Sequence, residues 1–164
     1  MNRIAIASLV VLIALGIPLF AENQVKGTLT VAGNPVKITQ VYAHAEPGFF
    51  DKTKNDVIVL MCDTAVAPKA VLDQFERRDL VKAGKLHCVQ QTIDAKGQVI
   101  QFRVEDSHFG MAPTGGSTYE VFEVKTNDGK TIAGRAHTTA EQKSFEDVVY
   151  SYDITISAAV EPKK

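Results

Sequence analysis

The stretch VVYSYDITISA, residues 148–158, decides the fold class because apolar and polar side chains alternate along it. One face carries Val148, Tyr150, Tyr152, Ile154, Ile156 and Ala158, and the other carries Val149, Ser151, Asp153, Thr155 and Ser157. A period of two is that of an extended strand with one buried face. Residues 148–158 are therefore predicted to form a strand that packs on a hydrophobic core.

Seven further segments have strand character, so eight strands are predicted. Residues 57–62 are apolar on both faces, which is typical of a central strand that is covered on both sides. Ala-Lys-Gly at 95–97 and Asn-Asp-Gly at 127–129 indicate hairpin turns. The predicted strands are 24–32, 36–45, 57–62, 85–94, 98–106, 118–126, 131–138 and 148–158.

Residues 68–83 follow a helical pattern instead. Apolar residues recur there at helical spacing, Pro68 suits the first turn and Gly84 suits the stop. Together these patterns predict a single mainly β domain. Its expected architecture is an eight-stranded, mostly antiparallel sandwich or barrel with one helix at about 68–83. The choice between sandwich and barrel stays open.

Residues 1–21 have the composition of an export signal. Arg3 supplies a positive charge, residues 4–15 form an apolar run, and the segment ends on the small residue Ala21. Cleavage is expected after Ala21, with an uncleaved anchor helix as the alternative. The mature domain then spans residues 22–164, and its expected location is the bacterial periplasm or the exterior.

The charge balance restricts the kinds of partner that can be expected. The chain has 18 basic and 19 acidic residues, and it contains no polybasic block. A nucleic acid or an anionic membrane is therefore not an expected partner. No apolar run after the leader approaches the length that spans a bilayer. The expected partner is an unknown protein or small ligand, with no membrane contact after signal cleavage.

Cys62 and Cys88 are the only cysteines of the chain. Two thiols in an exported domain usually form a disulfide, and buried free thiols or a metal site are the alternatives. If segments 57–65 and 85–94 are antiparallel neighbours, the two cysteines lie level with each other. If the helix instead carries the chain back along the sheet, the two strands are parallel. The sequence leaves this topology open.

Simple up-and-down order after the helix places His87, His108 and His137 at one end of the fold. His44 joins them only if the helix returns the chain. Imidazoles with the thioether of Met111 would suit copper or zinc. No spacing matches a known ligand motif, and no nucleophile elbow, P-loop or dinucleotide fingerprint occurs. No cofactor is predicted, and an enzyme is less favoured than a binding protein.

Large apolar residues in loops indicate a contact surface. Phe49 and Phe50 precede a charged run, and Phe109 and Met111 lie in the Gly- and Pro-rich loop 107–117. Exposed apolar side chains on loops often mark contact with a ligand or partner. The alternative is that these side chains fold down over the ends of the core.

Three motifs carry a resemblance. They are G-x-L-x-V-x-G-x-P-V at Gly27–Val36, F-D-x-T-K at Phe50–Lys54 and D-G-K-T-I-A-G-R at Asp128–Arg135. With these motifs the chain resembles exported bacterial β-domain proteins of unassigned function, which implies a secreted β domain and no particular chemistry. The expected function is an exported, non-catalytic binding or interaction module. The alternative is a copper or zinc protein, or a small periplasmic enzyme, that uses the histidines.

Overall fold

The computed structural model describes residues 23–116 and 118–162. The predicted leader, residues 1–21, and its cleavage site lie outside the described residues. Within them, no helix is long and apolar enough to cross a membrane. The elements of the described part are β1 (Gln24–Val31), β2 (Asn34–Ile38), β3 (Gln40–Pro47), β4 (Asn55–Cys62), α1 (Pro68–Leu72), α2 (Gln74–Lys82), β5 (Cys88–Ile93), β6 (Val99–Glu105), β7 (Thr114–Gly115), β8 (Glu120–Asn127), β9 (Thr131–Thr138), β10 (Gln142–Lys143) and β11 (Val149–Pro162).

The strands form a curled sheet, a half-barrel, whose two halves meet at β11. One half, sheet A, contains β2, β1, β11, β9 and β8, and β10 pairs with the start of β11. The other half, sheet B, contains β3 to β7 in sequence order. The last residues of β11 pair with β3 in parallel, while the other pairs among the described strands are antiparallel. The predicted mainly β class is confirmed.

The core lies between the inner faces of the two halves. The alternation predicted for the C-terminal strand is confirmed, because Tyr150, Tyr152, Ile154, Ile156 and Ala158 are all buried. The amide nitrogen of Gln91, on β5, donates to the hydroxyl of Tyr152 at 2.9 Å. This buried hydrogen bond joins sheet B to sheet A through the core.

One predicted strand, 36–45, is two strands that belong to different sheets. The chain turns a corner at Thr39, whose backbone N–H donates to the carbonyl of Cys62 and whose hydroxyl donates to the carbonyl of Asp63. The buried positions change phase there, from Ile38 on β2 to Val41 on β3. This corner, together with the short strands β7 and β10, explains why the described chain has more than eight strands.

The predicted helix is also divided. Asp73 has an extended backbone, with φ −124° and ψ 113°, and its carboxylate accepts a hydrogen bond from the N–H of Phe75. Asp73 is therefore the N-cap of a second helix. The two helices cover the outer face of sheet B, where Leu60, Cys62 and Cys88 form a small apolar cluster with other residues. Strand β4 is thus covered on both faces, as its sequence predicts.

The antiparallel pairing of β4 with β5 settles the topology that the sequence left open. Cys62 lies opposite Cys88 with their Cα atoms 4.2 Å apart, and the predicted disulfide is present. The helices therefore leave and re-enter sheet B at one end, here called the helix end. This end also holds the loop after β6 (106–113) and the segments on either side of β10 (139–141 and 144–148). The opposite end, here called the turn end, holds the loop 48–54 and the two tight turns.

Candidate functional site

Asp106 connects two of the predicted histidines at the helix end. One of its carboxylate oxygens lies 2.8 Å from Nδ1 of His87, and the other lies 2.7 Å from Nδ1 of His108. Burial alone would raise the pKa of Asp106. The hydrogen bonds from the backbone and ring of His108 and from His87 outweigh that effect, so the pKa lies below its ordinary value. Asp106 thereby fastens the start of β5 to the loop after β6.

This cluster holds two imidazoles on one carboxylate. An imidazole that donates from Nδ1 keeps a lone pair on Nε2, which can accept a proton or bind a metal. Among the described residues, however, no hydroxyl group bonds to His87 or His108. The described chain also contains no group of three or more His, Cys, Asp or Glu side chains that could hold a metal ion. The cluster is a connection between segments.

His137 lies elsewhere, on the outer face of sheet A, which neither α1 nor α2 covers. Its Nε2 atom is 3.1 Å from a carboxylate oxygen of Glu123. Beside it, Arg135 donates to both carboxylate oxygens of Asp153, at 2.8 and 2.9 Å. His137 therefore belongs to an exposed network of charges on sheet A and does not join the pair on Asp106.

His44 also lies apart from the other histidines. It is buried on β3, and its Nε2 atom is 3.5 Å from a carboxylate oxygen of Glu46. The loop that follows, 48–54, lies at the turn end because β3 pairs with β4 in antiparallel register. The four predicted histidines thus occupy three places, and only two of them meet.

The predicted contact residues Phe49 and Phe50 are exposed at the turn end. Their rings pack edge to face with centroids 5.0 Å apart. The backbone beneath them is held by two hydrogen bonds, from the N–H of Gly48 to the carbonyl of Lys54 and from the N–H of Phe49 to Asp56, both 2.8 Å long. These rings do not fold over the core.

Phe109 folds down over the end of the core, which the sequence analysis gave as the alternative to an exposed contact residue. Its side chain is 8 % exposed, and its ring meets that of Tyr150 at 90° with a centroid distance of 5.9 Å. Phe109 therefore closes the core at the helix end. Met111, two residues later, is exposed. The nearby Gly110 N–H donates to the carboxylate of Glu146 at 2.8 Å, which ties this loop to the loop after β10.

Met111 borders a cavity of about 300 Å³ between α2 and the loop after β6. We call this cavity the helix-end groove. Its lining includes Phe75, Arg78, Val81, Lys82, Arg103 and Met111, together with Glu105 and Asp106. Phe75 lies in the segment that the sequence predicts as one helix, and the structure exposes its ring. The Asp-x-x-Glu capping pattern at Asp73–Glu76 is the signal that could have revealed the new helix start.

Arg77, which the sequence did not single out, holds α2 on sheet B. Its side chain is fully buried, and its guanidinium donates to both carboxylate oxygens of Glu105 at 2.7 and 2.9 Å. The same group donates to the carbonyl of Ala70 at 2.6 Å and to the side chain of Gln90 at 3.1 Å. The wall of the groove formed by α2 is therefore fixed by a buried, fully bonded arginine.

Comparison of the chain with protein-family models, with curated proteins and with solved structures finds no match. The helix-end groove is therefore interpreted from its own residues. It is the place where a predicted contact residue, Met111, stands beside a cavity with cationic walls. Asp106 also lines this groove.

Proposed function

We propose that this protein is an exported, non-catalytic binding module that holds its ligand or partner in the helix-end groove. The observation that carries the proposal is the exposure of Phe75 and Met111, at 67 % and 74 %, on backbone that is held in place. Arg77 fixes the helix that bears one of them, and Glu146 fixes the loop that bears the other. Large apolar side chains exposed on a rigid surface are favourable contacts for a ligand.

Export is part of this proposal. The composition of residues 1–21 supports it, since these residues combine one arginine with an apolar run. The Cys62–Cys88 disulfide supports it as well, because disulfides persist in oxidising compartments. The resemblance of Gly27–Val36 and two further motifs to exported β domains agrees with both.

The competing function is metal binding or acid–base chemistry at His87 and His108. The observation in its favour is that Asp106 orients both imidazoles through Nδ1. The lack of a third ligand among the described residues favours the binding module. Titration with zinc and copper followed by calorimetry separates the two. We expect no stoichiometric binding, and a one-to-one complex that His87→Ala abolishes would favour the metal protein.

A screen with small fragments of mixed charge tests the binding module. The ¹H–¹⁵N spectrum of the exported chain, with its disulfide intact, is recorded with each fragment in turn. We expect the fragments that bind to perturb amide signals around Phe75, Arg103 and Met111, because preformed concave sites collect small ligands of many kinds. Binding concentrated at another surface, or at none, would contradict the proposal.

Two matched double variants control this screen. Phe75→Ser with Met111→Ser removes the apolar walls of the groove, whereas Phe49→Ser with Phe50→Ser removes equally exposed rings at the turn end. We expect only the first pair to abolish fragment binding. The reverse outcome would place the binding surface at the turn end and overturn the assignment of the groove.

A further inference from the structure

Three cationic side chains line the helix-end groove. Arg78 and Lys82 are four residues apart on α2 and therefore lie on the same helix face, while Arg103 extends from β6. Among the described residues, Lys82 and Arg103 form no ion pair, and Arg78 meets only the exposed Asp79, at 3.7 Å. These positive charges are therefore available to a ligand.

The two acidic residues that line the groove, Glu105 and Asp106, already accept hydrogen bonds from other side chains. Both carboxylate oxygens of Glu105 accept hydrogen bonds from the buried Arg77. The carboxylate of Asp106 accepts the backbone N–H of His108 and lies against the rings of His87 and His108. The charge of Glu105 is balanced by Arg77, and Asp106 sets one negative charge against three cations. The groove therefore keeps an excess of positive charge, which is complementary to an anion.

The remaining walls and the size of the groove restrict that anion further. Phe75, Val81 and Met111 provide apolar surface beside the cations. The volume of about 300 Å³ is at the lower end for small-molecule sites. With each water in the liquid filling about 30 Å³, such a volume holds roughly ten non-hydrogen atoms. A small occupant with one charged end and a short apolar body fits these limits.

We infer that the ligand of the helix-end groove is a small anionic amphiphile. Its carboxylate or phosphate group contacts Arg78, Lys82 and Arg103, and its apolar body lies against Phe75 and Met111. Arginine forks bind both kinds of anion with two parallel hydrogen bonds. The inference rests on the proposed function, since it names the ligand class of the same groove.

Four probes with the same six-carbon alkyl tail test the charge preference, and each has a size that fits the groove. They are heptanoate, hexyl phosphate, hexyltrimethylammonium and 1-hexanol, each titrated as a monomer into the full exported chain. We expect one or both anions to bind at least about tenfold more tightly than the neutral and cationic probes, because only they meet the three cations. The ratio between the two anions distinguishes a carboxylate ligand from a phosphate ligand.

Charge variants test whether the cationic side chains of the groove cause the preference for anions. Lys82→Glu with Arg103→Glu should weaken anion binding by about tenfold or more and strengthen hexyltrimethylammonium binding. Lys82→Gln with Arg103→Gln provides a milder version if the first variant unfolds. Lys26→Glu with Lys125→Glu, on the outer face of sheet A, is the matched control and should leave anion binding unchanged.

The outcomes separate this inference from the function on which it rests. Equal binding of all four probes, lost in Phe75→Ser with Met111→Ser, would overturn the anionic ligand and leave the binding module intact. Binding of a short acidic peptide in the groove without binding of either anionic probe would also overturn the amphiphile. Fragments that avoid the groove altogether would overturn the binding module itself.

Discussion

Arg77 and Arg135 make the same two-pronged contact with a carboxylate in opposite surroundings. Arg77 meets Glu105 beneath the helices, where the two side chains are 1 % and 6 % exposed. Arg135 meets Asp153 on the open face of sheet A, where the side chains are 45 % and 62 % exposed. The distances are nearly equal, from 2.7 to 2.9 Å in both pairs. Geometry alone therefore does not distinguish them.

The difference lies in what covers each outer face. Removing one partner from a buried pair leaves the other charge without water or a counterion, which is costly. Removing one partner from an exposed pair leaves a charge that water solvates. The covered face of sheet B thus depends on Arg77 to keep α2 in place, and the groove depends on α2. On the outer face of sheet A, the exposed pair of Arg135 and Asp153 does not hold either described helix in place.

The largest expected effect is that of Arg77→Ala. The variant leaves Glu105 buried and unpaired, so we expect the free energy of unfolding to fall by about 3–5 kcal/mol. Urea unfolding followed by circular dichroism measures it. Arg78→Ala, one residue along the same helix and exposed, is the control and should change stability by about 0.5 kcal/mol or less. A loss below about 1 kcal/mol for Arg77→Ala would show that the buried pair matters no more for stability than the exposed pair does.

The disulfide beneath the helices is expected to contribute the next largest effect. Cys62→Ala with Cys88→Ala opens a loop with a sequence separation of 26, and the loop-entropy relation gives a loss of about 3 kcal/mol. Urea unfolding of this variant should agree with that of the reduced and alkylated wild-type chain. If reduction leaves the unfolding midpoint unchanged, the helices and sheet B hold together without the disulfide.

Asp106→Asn should have an intermediate effect, because it weakens the connection between β5 and the loop after β6. We expect a loss of about 1–3 kcal/mol at neutral pH. The native pKa of Asp106 is lowered, so its carboxylate stabilises the fold above the unfolded pKa of about 4 and loses that contribution as the pH falls through the native pKa. The wild type and the variant should therefore converge in stability below about pH 4. A constant difference down to pH 2 would contradict the role assigned to this carboxylate.

The smallest expected effect is that of Arg135→Ala. Both partners are solvated, so the unfolding midpoint in urea should be indistinguishable from that of the wild type at physiological salt. Low ionic strength is the sharpest condition for detecting any residual attraction. A loss as large as that of Arg77→Ala would show that the outer face of sheet A is covered in solution.

Local patterns carried part of this fold. The alternation around Tyr152 and Ile154 predicted the C-terminal strand, and the two-sided apolar run of β4 predicted its central position. The corner at Thr39 escaped prediction because β-branched residues continue across it. The division at Asp73 escaped because the apolar spacing of a helix tolerates one capped break. The corner depends on two long-range hydrogen bonds of Thr39 that the sequence does not reveal, whereas the break at Asp73 left a capping pattern that the helical spacing obscured.

The candidate site was predictable only in pieces. Met111 was identified as a loop residue, and His87 and His108 were placed at one end by strand order alone. Phe75 and the three cations of the groove were not identified, because their elements are distant in sequence and meet only when α2 docks on sheet B. The burial of Arg77 was not predicted either, since an arginine in a charged helix is normally expected in solvent.

The sequence by itself determined the mainly β class, the long strands such as the C-terminal one, and the presence of two cysteines that can pair, because these features follow from side-chain periodicity and from residue type. The tertiary structure decided which cysteines, histidines and cations meet. Antiparallel pairing of β4 with β5 brought Cys62 to Cys88, and docking of α2 buried Arg77 and opened the groove beside it. Contacts between residues far apart in the chain depend on topology, and topology emerges only when whole faces are packed against each other.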